Sequence, residues 1–408
     1  MTTSARSASK GLALAALALG VLVALGPADA AREGVRADAA RAGVRAAAAA
    51  LYMSADGSDS GQCTAAAPCR TFSRAYAVGQ PGQTVYLRSG DYGDQTIVGT
   101  RATPPAGVPK LVFAPDRGAS VSVGYLQIHA DNFELRGLKL AGFDTRADSD
   151  GFTARGVDMN VFGVFGSSNT KIIGGDVGPS YNPGGSSIPV YITYGNDGTV
   201  APTNLLIDGV LFHDFKRGTP DDHMECMMVI GGSGITIRNS RFLRCDIFDI
   251  YFTQWAGPDP PRNILLENNW FDETTTDGQY GNTTYAVRFG DYMREFTNIL
   301  VRYNSAKQDI SMGDNPKQNV SFIANVAPNY GCTDGIFYAY NVWNGRRCGP
   351  TDRRGSTDFV DASRLDLRLP ANAPAVDHGD KKNYPRRDIF GHKRPRGKAP
   401  DAGAVEVR

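Results

Sequence analysis

Three stretches, NILLENNWF (263–271), NILVRYNSA (298–306) and NVSFIANVA (319–327), share one plan: an amide, a short run alternating apolar and polar residues, and a second amide where the run turns. The plan recurs upstream as NFELRGLKL (132–140), NTKIIGGDV (169–177), NLLIDGVLF (204–212) and GITIRNSRF (234–242), and downstream as GIFYAYNVW (335–343). Alternation is strand chemistry, and Gly or Asn at the corner tolerates a positive φ. A single strand of this kind cannot bury its apolar row. Coils stacked about 4.8 Å apart merge those rows into one core, as in a repeat protein. Ser240, Asn269, Asn304, Asn325 and Asn341 fall at equivalent places, which predicts a ladder of hydrogen-bonded side chains at an internal bend. The sequence therefore predicts an all-β, single-stranded, right-handed parallel β-helix.

Outside the repeats, the first 30 residues carry a basic start (Arg6, Lys10), an apolar stretch from Gly11 to Gly26 and the exit Ala28-Asp29-Ala30. This is the order of a secretory signal peptide (1–30). Its apolar part is shorter than the roughly 20 residues that span a bilayer, so no permanent membrane anchor is expected. Residues 31–50, nearly all Ala, Arg, Gly, Val and acidic residues, read as a linker or pro-segment. The solenoid is expected over 51–345 and a basic C-terminal capping segment, read as a solvated tail, over 346–408.

The chain has 43 basic and 42 acidic residues, and loss of the leader removes two of the former and one of the latter. A balanced charge gives no general attraction to nucleic acid, so none is expected as a partner. Six cysteines in an exported chain point to disulfides, and the near pairs are Cys63 with Cys69, Cys226 with Cys245, and Cys332 with Cys348. Proximity alone does not fix the connectivity. No C-x-x-C pair occurs, which argues against structural zinc.

Two further stretches carry a resemblance. YMSADGSDSGQCTAAAPCRTFSRAYAVGQPGQTVYLRSGDY (52–92) resembles the opening of exported β-helix proteins of the pectate-lyase-like superfamily. The resemblance implies a capping helix over Thr71 to Val78 with Phe72, Ala75 and Tyr76 inward. LDLRLPANAPAVDHGD (365–380) and RRDIFGHKRPRGKAPDAGAVEV (386–407) are similar to the module called choice-of-anchor Q. The superfamily includes lyases, hydrolases, epimerases and proteins without known activity, so the resemblance implies a fold more than a reaction.

Chemistry is concentrated in DDHMECMMVIGG (221–232) and the coils after it. If Met224, Cys226 and Met228 are buried, alternation puts His223 and Glu225 outward. The next coils then add Asp249 and Tyr251, Arg288, and Asp309 with Ser311. β-Elimination from a uronic-acid polymer needs the carboxylate neutralised, a base for the ring proton and an acid for the leaving oxygen. The catalytic candidates are accordingly His223, Glu225, Asp249, Tyr251 and Arg288. Glu225 and Asp249 are the candidate ligands for Ca²⁺. Arg288, Asp309, Trp255 and Tyr285 are the candidates for holding the sugar chain. Glycoside hydrolysis by paired carboxylates, with Asp221 and Asp222 as candidates, is a second expectation. A third is a non-catalytic glycan-binding or cell-surface structural protein using the solenoid face and the basic segment from Lys381 to Lys398. The N-T-D, G-H-G and R-I-K set of a polygalacturonase and the R-x-P-x-x-R run of a pectate lyase are both absent. The expectation is thus a secreted, monomeric protein acting on an anionic polysaccharide.

Overall fold

The computed structural model describes residues 49–407 apart from 182–187, 220–223, 255–256, 273–284, 291, 329–330, 356–358, 362–363 and 365. It is an all-β parallel helix. Twelve parallel strands, one per turn of chain, form the first face, from Leu51–Met53 through Thr84–Leu87 to Ile336–Ala339. Along this face Leu135, Ala154, Ile172, Ile207, Ile237, Leu266, Val301, Phe322 and Tyr338 pair in strict register. All nine are buried. A one-residue slip would turn this whole column to solvent, so burial itself fixes the register.

Each repeat begins with a left-handed residue: Asn132, Asn169, Asn204, Gly234, Asn263, Asn298, Asn319 and Gly335 all have φ between 52° and 79°. Asn tolerates this geometry because its short amide can bond locally. Here it bonds the next coil, Asn298 Nδ2 donating to Asn263 Oδ1 (2.8 Å) and Asn319 Nδ2 to Asn298 Oδ1 (3.0 Å).

From Leu206 to Met312 each coil has three strands. One coil runs Ser233–Arg238, Arg241–Cys245, Phe248–Phe252, and the next Arg262–Glu267, Trp270–Phe271, Tyr285–Phe289. The bend between the first two faces holds the predicted ladder. Asn269, Asn304 and Asn325 each donate Nδ2 to the Oδ1 of the following Asn at 3.0–3.1 Å, and Asn341 donates to Asp352 Oδ1. Their backbone N–H groups bond the same oxygens. All four are fully buried, as is Ser240, whose N–H donates to Asn269 Oδ1. Between the faces Phe212, Phe242 and Phe271 stack at 4.5 and 5.1 Å, and Phe252 stacks on Phe289 at 4.5 Å.

The helix forms over Phe72–Val78, capped by Thr71 Oγ1 accepting from Arg74 N–H, and buries Phe72, Ala75 and Tyr76 as the resemblance implied. Phe72 stacks on Phe113 at 5.1 Å, which closes the open end of the core. The three cysteine pairs are disulfides in the pairing suggested by proximity.

The basic segment is not a solvated tail throughout. Arg394 is buried: it stacks on Tyr303 at 5.0 Å, sits 3.6 Å from Glu406 and donates to the carbonyls of Asp401 and Gly403 and to Asn268 Oδ1. Gly403 N–H donates to Ala324 O and Ala404 N–H to Ser305 Oγ, so the C-terminal segment is fastened along the ladder side of the coils. Parallel pairing also continues past residue 345, Val342–Trp343 with Arg353–Arg354.

Candidate functional site

The third face carries the candidate site. Its outward column reads, in register, Gln127, Asp144, Gly163, Tyr191, Met228, Tyr251, Arg288 and Ser311. Eight rungs at about 4.8 Å give a row roughly 34 Å long.

Tyr251, Arg288 and Ser311 are brought together as the alternation predicted. Arg288 Nη1 donates to Ser311 Oγ at 2.7 Å, and its guanidinium lies 5.1 Å from the ring centre of Tyr285. Tyr285 in turn lies 6.1 Å from Phe248, which is 5.2 Å from Tyr251. The Tyr251 ring lies over Gly290, where an added Cβ would come within 2.7 Å of its Oη, so this glycine makes room for the phenol. Burial pushes the Tyr251 phenol above its usual range; the charge of Glu225 adds to the rise and Arg288 opposes it. The hydroxyl is therefore protonated at neutral pH, the state of a proton donor.

Four expectations change. Met228 is buried as expected but does not point into the central core: it pairs with Tyr251 on the outward column, and Met227 and Val229 enter the core beside Ile250 and Phe252. Glu225 is fully buried rather than on the outer surface. Asp309 pairs with Tyr285 and is 6% exposed, so it is covered too. Asp249 is also fully buried, with a carboxylate oxygen within 4.8 Å of both sulfurs of the Cys226–Cys245 disulfide. For Asp249 and Asp309 the physical reason lies in the backbone. The register shifts between Tyr285 and Val287, placing two consecutive residues, Ala286 and Val287, in the core, and in the paired strand Asp249 and Ile250 are likewise both buried. Period two fails at that bulge.

Neither oxygen of Asp249 has a hydrogen-bond partner. Desolvation, with a contribution from the charge of Asp272, drives its carboxyl well above the usual carboxylate range, so burial favours its neutral form. Calcium takes six to eight oxygen ligands in an open, hydrated shell. A carboxyl enclosed against a disulfide leaves no room for such a shell, so the fully buried Glu225 and Asp249 do not fit a calcium site. The two nearby sulfurs are joined to each other and offer no thiolate to a softer ion.

His223, Trp255, Asp221 and Asp222 lie outside the described residues.

Repeat-based reading missed the other end of the row. Tyr125 Oη donates to Asp144 Oδ1, and Arg146 Nη2 meets Asp144 Oδ2 at 2.6 Å. The Arg146 guanidinium lies 5.0 Å from the ring centre of Phe165, which packs edge-on against Tyr191 at 5.9 Å. The missed signal is G-x-D-x-R over 142–146 followed by G-x-F over 163–165, alternation on the third-face strands rather than on the repeat strands.

No family model matches the sequence, and no curated protein does. Among solved structures the chain is similar to a pectate lyase, with 15% identity, a TM-score of 0.42 and coverage of 88% of this chain and 96% of that one. It is similar to a rhamnogalacturonan lyase with 12% identity, a TM-score of 0.45 and coverage of 80% and 95%. An alginate lyase of family PL6 matches at 10% identity and a TM-score of 0.32, over 76% of this chain and 57% of that one.

Proposed function

We propose that this is an exported polysaccharide lyase acting on a uronic-acid-containing chain laid along the third face. The observation that carries the reading is the in-register triplet Tyr251, Arg288 and Ser311, a protonated phenol one rung from a guanidinium held by a hydroxyl and an aromatic ring. Three disulfides support an oxidising compartment. Among the described residues no helix is long and apolar enough to cross a membrane.

In this reading Arg288 pairs with the uronate carboxylate, for which the planar guanidinium is suited, and so stabilises the charge that develops when the neighbouring ring proton leaves. Tyr251 donates its proton to the departing glycosidic oxygen. His223, two residues before Glu225 in the chain, is assigned as base on its chemistry alone. No step is routed through calcium, because the proposed ligand pair does not fit it.

Incubation with a panel of uronic-acid polymers should give the ultraviolet absorbance of an unsaturated product. Arg288→Ala should lower kcat/KM by about 10²-fold or more. Tyr251→Phe should lower kcat by about 10²-fold or more with a smaller change in KM. Reducing ends released without that absorbance would favour the hydrolase reading. Retention on a polysaccharide column without any product would favour a non-catalytic glycan binder.

A further inference from the structure

We infer that the N-terminal end of the row, built from Tyr125, Asp144, Arg146, Phe165 and Tyr191, is a separate subsite for uncharged sugar rings, so that the ligand is a chain carrying neutral sugars beside its uronates. The inference rests on the reading that a glycan lies along this face with a uronate at Arg288.

The strip shares one column with the Tyr251–Arg288 centre, and its own cation is paired. Asp144 engages both neighbours: it accepts from Tyr125 Oη and pairs with Arg146, while Arg146 also donates to Asn196 Oδ1 at 3.0 Å. The cation is therefore matched by an adjacent anion, and both are largely enclosed, at 19% and 10% side-chain exposure. A second carboxylate brought by a uronate would meet Asp144 at close range, and like charges repel strongly where water is thin. What the strip offers instead is aromatic surface, since Tyr125, Phe165 and Tyr191 are each partly exposed.

Gly163 shows how that surface is made. It occupies the column itself, between Asp144 and Tyr191, and an added Cβ would come within 2.1 Å of the Phe165 ring and 2.6 Å of Asp144 Oδ1. The ring thus lies over the backbone at a rung where every other residue type would place a side chain. Arg146 on one side and Tyr191 on the other hold it there. Such a ring, braced and half-open, is suited to the C–H face of a pyranose. Asp144 and Tyr251 are four rungs apart, roughly 19 Å, which places the two ends on different sugars of one chain.

The test uses the full mature protein and two probes, a hexamer of galacturonate and a hexamer in which galacturonate alternates with rhamnose, with binding followed by calorimetry. The alternating hexamer should bind about tenfold tighter. Phe165→Ala and Tyr191→Ala should each erase about five- to tenfold of that preference and leave the galacturonate hexamer unaffected. Asp144→Asn should shift the preference toward the galacturonate hexamer, because Arg146 then loses its counter-charge. Equal affinity of the two probes, or a preference that survives both aromatic substitutions, would overturn the inference. Arg288→Ala separates it from the reading beneath it: loss of affinity for both probes supports both claims. If Arg288→Ala changes neither affinity while Phe165→Ala still acts, the uronate site is wrong and the neutral-sugar strip stands. Thermal unfolding of each variant checks folding, and the three strip substitutions stand independently if one fails to fold.

Discussion

At the bend between the first and second faces, Asn269, Asn304, Asn325 and Asn341 are as inaccessible as Asp249 is near the bend between the second and third. Each amide donates Nδ2 both forward along the ladder and back to a carbonyl of the preceding coil, and the ladder ends on a carboxylate, Asp352, that accepts from both Asn341 and Trp343 Nε1. Asp249 has the same burial and no hydrogen-bond partner at either oxygen. Both sites lie in the same stack of coils, but one is a satisfied network and the other an acid that burial pushes toward its neutral form. A satisfied buried network specifies the bend. An unsatisfied buried acid costs stability, and it persists here within Phe248–Phe252, the strand that presents Tyr251.

The largest effect should come from breaking the satisfied bend. Asn304→Ala removes the acceptor used by the N–H and Nδ2 groups of Asn269 and takes from Asn325 Oδ1 one of its two donors, Asn304 Nδ2, leaving only the backbone N–H. Unfolding by denaturant should show a loss of about 3 kcal/mol or more, since each stranded group costs about 1–3 kcal/mol. The opposite sign is expected at the other bend. Asp249→Leu exchanges a buried polar group without partners for an apolar one and should raise stability at pH 7 by about 1–2 kcal/mol.

A smaller effect separates the two bends by pH. The folded-state pKa of Asp249 is raised above that of the unfolded chain, so the native state holds its proton longer. The contribution is fully present below the unfolded value of about 4 and is lost as pH rises toward and through the folded value, with a slope of at most about 1.4 kcal/mol per pH unit. Asp249→Asn should remove that slope, while the ladder amides contribute none. A stability profile of Asp249→Asn parallel to that of the unsubstituted protein would show that the acid is not held neutral in the interior.

The repeats made the first face and the ladder legible, because Asn263, Asn298 and Asn319 open units of one length and Asn269, Asn304 and Asn325 fall six residues further on each time. Tyr251, Arg288 and Ser311 were legible from alternation within each third-face strand. Glu225 and Asp249 were not. Alternation cannot reveal a bulge, and Met227 rather than Met228 faces inward for reasons that become visible only in the pairing with Ile250 and Tyr251. Arg394 was read as one more solvated charge, and nothing in its neighbours along the chain announces Tyr303, Asn268 and Glu406 around it. Third-face strands upstream escaped notice because loops of unequal length separate them from the repeat strands.

The central claim, elimination at the Tyr251–Arg288 rung, is tested most directly by digesting a uronic-acid polymer in heavy-oxygen water and weighing the fragments. Elimination breaks the glycosidic bond without adding water, so the account predicts unsaturated fragments carrying no heavy oxygen, formed about 10²-fold more slowly by Arg288→Ala. Saturated fragments that each carry one heavy oxygen atom would contradict it.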